Sequence, residues 1–272
     1  MPIITITRGK FSGGEEIAED LAKQLGAKCI SDELLRESAK DYKADEAVMA
    51  DFFEKNPNFV DRMTSRRFEY VAFLRATLLG MCEDNNLVYH GNAGQELLRD
   101  VPHALKVRLM LSFHFRARRL MEQFDIPFEQ AEEMVRQIDD DRTKRTQYYY
   151  DADWRDSSRY DLMIRMDGTK RPFIENTIKQ MVEQPRFQPT EEDLEAFHKV
   201  HFLSKLQAIA AAMLGAHISM MNLTYEDHVV TLEGSFPTSD VMKLDQLLDQ
   251  LRALDEVHEV VPKISAGFAF YR

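Results

Sequence analysis

The chain has 272 residues, enough for one sizeable domain with a smaller one attached. Hydrophobic residues make up 44% and charged residues 30%, an ordinary globular balance. The net charge of −11 argues against a general nucleic-acid binder but leaves room for a local basic pocket. Cys29 and Cys82 stand outside any metal-ligand spacing and read as reduced, buried thiols. Neither a leader-like start nor an apolar run of about 18 residues is present, so a cytoplasmic protein without a transmembrane segment is expected.

In chain order, Ile3, Ile4 and Ile6 form a β-branched run that reads as a buried strand. The turn-prone residues Arg8, Gly9, Lys10, Phe11, Ser12, Gly13 and Gly14 follow. Ile17, Ala18, Leu21, Ala22 and Leu25 then recur at helical spacing until Gly26. Strand, glycine-rich loop and helix are the layout of a phosphate-binding loop, in which backbone N–H groups and the helix N-terminus converge on an anion. The pattern G-x-x-x-x-G-K-[ST] is not met: Gly14 takes the lysine position and Glu16 the hydroxyl position. Arg8 and Lys10 would return positive charge to the loop. The competing reading is a glycine turn that lets the first helix pack on its strand.

A second helical pattern begins at Leu34, capped by Ser31 or Asp32. Residues 41–67 are highly charged, with Phe52, Phe53, Phe59 and Met63 interspersed. Residues 68–82 read as a largely apolar helix, and 87–89 as a short strand entering the turn His90-Gly91-Asn92-Ala93-Gly94. Strands ending in glycine turns suit a parallel α/β sheet, so both turns should open on one sheet edge, where ligands of such folds collect. Residues 104–111 form a further strand, and a helix with Arg116, Arg118 and Arg119 follows it. The helix starting near Pro127 runs through Ile138 and ends in the charged run of residues 139–145. A mobile loop carrying Arg142, Lys144 and Arg145 would give phosphoryl transfer its positive charge and exclude water. The same cations also suit a charged helix end. Residues 162–164 read as a strand and 173–182 as a helix.

The N-terminal stretch resembles the cytidylate kinase-like family, a branch of the P-loop nucleoside monophosphate kinases whose loops read S-G-G-x-E-I-A. Ser12-Gly13-Gly14 and Glu16-Ile17-Ala18 match, while Glu15 stands where the family has a basic residue. The family's G-R-G-x-[GN] turn becomes His90-Gly91-Asn92-Ala93-Gly94. Its D-R-x-x-R helix has Phe115 in place of the leading carboxylate, before Arg116 and Arg119. Asp139, Arg142, Asp153, Trp154, Tyr160, Asp161 and Leu162 stand in the family's lid, D-W and Y-D-L positions. The resemblance implies a parallel sheet of P-loop NTPase type over residues 1–182 and phosphoryl transfer from ATP, with Mg²⁺, to a nucleoside monophosphate. It implies catalytic roles for Lys10, Arg142 and Arg145, and nucleotide binding by Arg8, Gly9, Lys10, Ser12, Gly13, Gly14, Glu15 and Glu16. The acceptor phosphate would be gripped by Arg62, Arg66 and Arg67 on a substrate arm, with His90, Asn92 and Lys144 lining the site; the arginines also read as a solvated helix face. No metal ligand is assigned. Because Gly14, Glu15, Glu16, Gly91 and Phe115 depart from a kinase pattern, a degenerate nucleotide or ligand sensor is the alternative.

Residues 183–190, EQPRFQPT, read as a linker. Residues 191–272 contain a helix over 191–214, strands over 218–223 and 229–232, an amphipathic helix over 241–254 and a strand over 257–264. This part resembles a BON-type α+β module, which implies self-association or ligand binding.

Overall fold

The computed structural model describes residues 2–57, 66–237 and 240–267. Its first sheet contains β1 (Ile3–Arg8), β2 (Lys28–Ile30), β3 (Leu87–Tyr89), β4 (Ala104–Met110) and β5 (Leu162–Arg165). They lie in the order β2-β3-β1-β4-β5, and every pairing is parallel. β1 is central because both faces of the sheet are covered, which its isoleucine-rich sequence demands. Ile4 and Ile6 point to α1 (Gly14–Leu25) and α8 (Arg171–Val182), where Ile17, Leu21, Ile174 and Ile178 meet them. Ile3 points the other way, into a core with Phe73 and Leu78. All three isoleucines are fully buried, each contributing roughly 1.5–3 kcal/mol.

The helices on Ile3's face include α2 (Glu33–Asp41), α3 (Glu46–Glu54) and α4 (Arg66–Met81). α5 (Gly94–Leu97) follows β3, and α6 (Phe113–Phe124) and α7 (Phe128–Tyr150) lie between β4 and β5. The short strand β2 has no sequence signal of its own. Lys28, Cys29 and Ile30 become a strand by pairing with Leu87, Val88 and Tyr89.

A second sheet holds β6 (Met221–Glu226), β7 (Val229–Pro237) and β8 (Glu259–Gly267), with β6-β7 antiparallel and β7-β8 parallel. Asp227 and His228 turn the β6-β7 hairpin with φ of 47° and 65°, the two left-handed residues that a tight hairpin requires. The strand expected over 218–223 is shifted, because residues 215–220 form a 3₁₀ turn first. The strand expected over 229–232 is longer, because β7 runs on through Gly234 to Pro237. α10 (Val241–Arg252) covers this sheet through Leu244, Leu247, Leu248 and Leu251.

The 24-residue helix α9 (Glu191–Leu214) belongs to both cores. Phe197, Ala208 and Ala211 pack with α4, whereas Leu206, Ala210 and Leu214 pack with the small sheet. The proline-containing stretch before it is also packed. Phe187 is 1% exposed within the core of α1 and α8, and Arg186 pairs with Asp161 at 2.9 Å. Among the described residues no helix is long and apolar enough to cross a membrane.

Candidate functional site

β1 and β3 are parallel neighbours, so the two glycine turns that follow them open on the same edge of the sheet. In the first turn Gly13 adopts φ 75°, and a Cβ there would overlap the guanidinium of Arg119. Phe11 also adopts a left-handed conformation, φ 61°, which is costly for a bulky side chain. Its ring packs edge-on against Phe124, with centroids 6.1 Å apart, which ties the loop tip to α6. Ser12 is buried, and its hydroxyl accepts from the Gly14 amide at 3.3 Å. Residues 10 and 11 form a turn, and among the described residues no acceptor meets the backbone amides of residues 10, 11 and 13.

Two arginines, Arg116 of α6 and Arg142 of α7, hold this loop by its carbonyls. The Arg116 Nε donates to the Lys10 carbonyl at 3.0 Å, while its two terminal nitrogens grip Asp139 at 2.7 and 2.8 Å. Arg142 donates to the Arg8 carbonyl at 2.5 Å. A peptide plane places its C=O and N–H on opposite sides. Drawing the Lys10 carbonyl toward Arg116 therefore turns the Phe11 amide the other way. The Arg142 guanidinium lies over the Trp154 ring, 4.3 Å from its centroid, and burial pushes its pKa down to about 10, so it stays a cation at neutral pH. Arg108 stacks on the same indole at 4.8 Å, and Tyr160 donates to the Trp154 carbonyl at 2.6 Å. The D-W and Y-D-L residues thus build a platform for cations.

Arg8 lies across the start of α1. Its Nη2 pairs with Glu15 at 3.0 Å and lies 3.5 Å from the Nδ1 of His90, while its Nε is buried without a partner among the described residues. His90 is 6% exposed. Burial, followed by the Arg8 charge, holds its pKa below the ordinary value, so the neutral ring accepts from Arg8. Lys10 and Glu16 are exposed, and Lys10 makes no ion pair among the described residues. Asn92 is exposed, and its carbonyl accepts from the Tyr89 hydroxyl at 3.1 Å.

Beside this turn lies a buried polar cluster that sequence reasoning missed. Thr7 donates to Gln95 at 2.7 Å, and Glu96, with 3% of its side chain exposed, pairs with Arg159 at 2.6 Å. A Cβ at Gly94 would overlap the Thr5 hydroxyl, so this glycine lets α5 close on β1. The available signal was a polar Gln95-Glu96 pair directly after a strand-end turn.

The expected lid residues lie within α7 rather than on a mobile loop. The helix continues to Tyr150 because the aromatic residues 148–150 bury a further turn, while the Thr143 and Thr146 hydroxyls are absorbed by the helix's own carbonyls at Asp139 and Arg142. At about 100° per residue, Lys144 is turned about 160° away from Arg142, while Arg145 lies about 60° round the helix from it. Only Arg142 reaches the loop. Lys144 is exposed, and Arg145 donates to the Glu54 carbonyl at 3.1 Å. Asn56 bonds Asp141 at 2.7 Å and Tyr149 donates to the Phe52 carbonyl, so α7 and the arm around α3 are docked together. Arg66 is exposed at the start of α4. Arg67 donates to the Tyr148 carbonyl at 2.6 Å. Arg62 lies outside the described residues.

The description "Cytidylate kinase-like family" belongs to the family model that matches residues 3–168. A cytidylate kinase of Sulfurisphaera tokodaii is 27% identical over 179 residues, covering 65% of this chain and 93% of the relative. An uncharacterized protein from Eubacterium ventriosum superposes with a TM-score of 0.52 at 21% identity, covering 67% of this chain and 98% of the other, which shows a shared fold. A shikimate kinase from Bacteroides thetaiotaomicron aligns over 67% of this chain and 96% of its own, with a TM-score of 0.40 at 14% identity. With more than half of its length matched, the chain belongs to the cytidylate kinase-like family.

Proposed function

We propose that the chain is a phosphotransferase that moves a phosphoryl group from ATP to a nucleoside monophosphate. The observation that carries this reading is the set of amides at residues 10, 11 and 13, for which no acceptor is found among the described residues, beside the exposed Lys10. Orphan amides at the start of a helix suit a polyphosphate, and Lys10 stands in for the lysine replaced by Gly14. In this reading Gly9, Ser12, Gly13, Gly14, Glu15 and Glu16 complete the loop, while Arg8 and Arg142 bound it. Arg66, His90, Asn92 and Lys144 are proposed for the acceptor side, Arg145 is proposed to act with Arg142 on the transferred group, and Arg62 lies outside the described residues.

Among the described residues no three metal-ligating side chains gather, which fits Mg²⁺ arriving with the nucleotide and keeping mostly phosphate and water ligands. When bound, it would neutralise charge on the phosphate oxygens. Glu16, exposed at the start of α1, is the carboxylate of this chain proposed to hold it.

A second reading, a nucleotide or ligand sensor, is favoured by the commitment of Arg8 to Glu15 and of Arg116 to Asp139. The C-terminal sheet with α10 is proposed as a BON-like module for association or ligand binding. Titration with ATP and each nucleoside monophosphate, followed by coupled turnover, separates the readings. Turnover lost in both Lys10→Ala and Arg142→Ala supports the kinase. Binding without turnover selects the sensor, and absence of binding removes both.

A further inference from the structure

Phe197 of α9 is held between two histidines from different parts of the chain. The ring of His103, just ahead of β4, meets it edge-on with centroids 5.9 Å apart. The ring of His201, one turn along α9, lies against it at 6.2 Å and 29°. Both histidines are tied to the turn that joins α4 to β3. The side-chain oxygen of Asn85 in that turn accepts from the His103 Nε2 at 3.0 Å, and Glu83 takes the His201 Nδ1 at 3.1 Å. Asn85 adopts φ 48°, a left-handed conformation that asparagine tolerates. Gly80 makes room on α4, because a Cβ there would stand 3.4 Å from the His201 Nε2. One turn thus fastens the N-terminal half of α9, through Phe197, to the larger core.

The two histidines are not alike. His103 is 1% exposed. Its Nε2 carries the proton given to Asn85, so Nδ1 of the neutral ring is a bare acceptor, and that atom is buried without a partner among the described residues. A second proton would place an N–H and a positive charge where nothing receives them. Asp193 on α9 faces this ring and favours the proton, while Lys106 on β4 and the chain's amino terminus oppose it. Burial is the largest influence and holds the pKa below the ordinary 6.5. His201 is different because it has an ionic partner. Glu83 faces it from the turn, Lys205 and His198 from α9, and Lys28, Glu33, Glu37 and Asp41 line the same open hollow. Burial lowers its pKa too, but a proton gained there strengthens the pair with Glu83.

We propose that His103 is an acid-sensitive latch for α9: proton uptake at its buried Nδ1 drives the ring from its seat against Phe197 and loosens the N-terminal half of α9 from the larger core. Leu206, Ala210 and Leu214 keep the other half of the helix on the small sheet. The latch is fully closed above pH 6.5 and weakens as pH falls from there through the lower value of the docked ring. It concerns how the two cores are joined, so it stands or falls apart from the phosphotransferase reading.

The test is hydrogen exchange of the full chain at pH 7.5 and pH 5, corrected for the intrinsic pH dependence of amide exchange. Between the two conditions, protection over residues 191–200 is expected to fall at least about fivefold more than that of β1. His103→Gln, whose amide still donates to Asn85, should remove that difference, and His201→Gln should leave it in place. An NMR titration of the histidine rings in the parent chain needs no variant to fold, and the His103 midpoint is expected below 6.5. Protection over residues 191–200 that does not change with pH, a fall that persists in His103→Gln, a fall that vanishes in His201→Gln, or a His103 midpoint at or above 6.5 would each overturn the proposal.

Discussion

Arg116 has all three of its polar nitrogens engaged, one on the Lys10 carbonyl and two on Asp139. Removing one partner of such a pair leaves the other charge poorly solvated. Arg116→Met should therefore destabilise the fold by about 3 kcal/mol in urea unfolding, at the low end for buried pairs because Asp139 is 31% exposed. His90 supplies a pH signature. Its pKa in the folded chain is depressed by burial and then by Arg8, so protons bind the unfolded chain more readily. Its contribution is intact above the ordinary value of 6.5 and is lost as pH falls from there through the lower folded value. His90→Gln should flatten the decline of the urea midpoint between pH 7 and 5 relative to the parent, as read from a series of unfolding curves.

The elements differ in how plainly their residues announce them. β1 and α1 were legible because isoleucines and a helical stripe leave one reading each. β2 was not, since three residues with one buried side chain carry no periodicity, and the strand exists only through its partner β3. The lid segment was misread for a related reason. Residues 139–145 look like a polar helix end, and the helix is prolonged by contacts made far away in sequence, where Tyr149 meets Phe52 and Phe53 with centroids 5.2 and 5.0 Å apart. The glycine loop was visible as a pattern, but its clamping by Arg116 and Arg142 is tertiary and was hidden. Tyr149→Ala should free the arm locally. Hydrogen exchange over Glu46–Glu54 is expected to rise by at least about tenfold, matching about 1.4 kcal/mol of lost protection, while β1 stays protected. Unchanged exchange in that helix would show that α7 does not hold it.

Across the whole molecule, α9 ties two cores with one uninterrupted helix, begun by a capping box in which Thr190 and Asp193 bond reciprocally. Phe197 is 1% exposed in the larger core, and Leu247 is fully buried in the smaller. Phe197→Ala should cost about 3–5 kcal/mol and Leu247→Ala about 2–5 kcal/mol. Because α9 is shared, calorimetry should show both variants lowering one common transition. A second transition that moves only in Leu247→Ala would show that the small sheet unfolds by itself.

The shared helix also bears on how this polypeptide can be cut. A fragment ending before Glu191 would strip α4 of its cover and leave an oily stripe facing water beside the sheet edge. Such a fragment should clump or recruit a substitute surface, even though every residue of its glycine loop is retained.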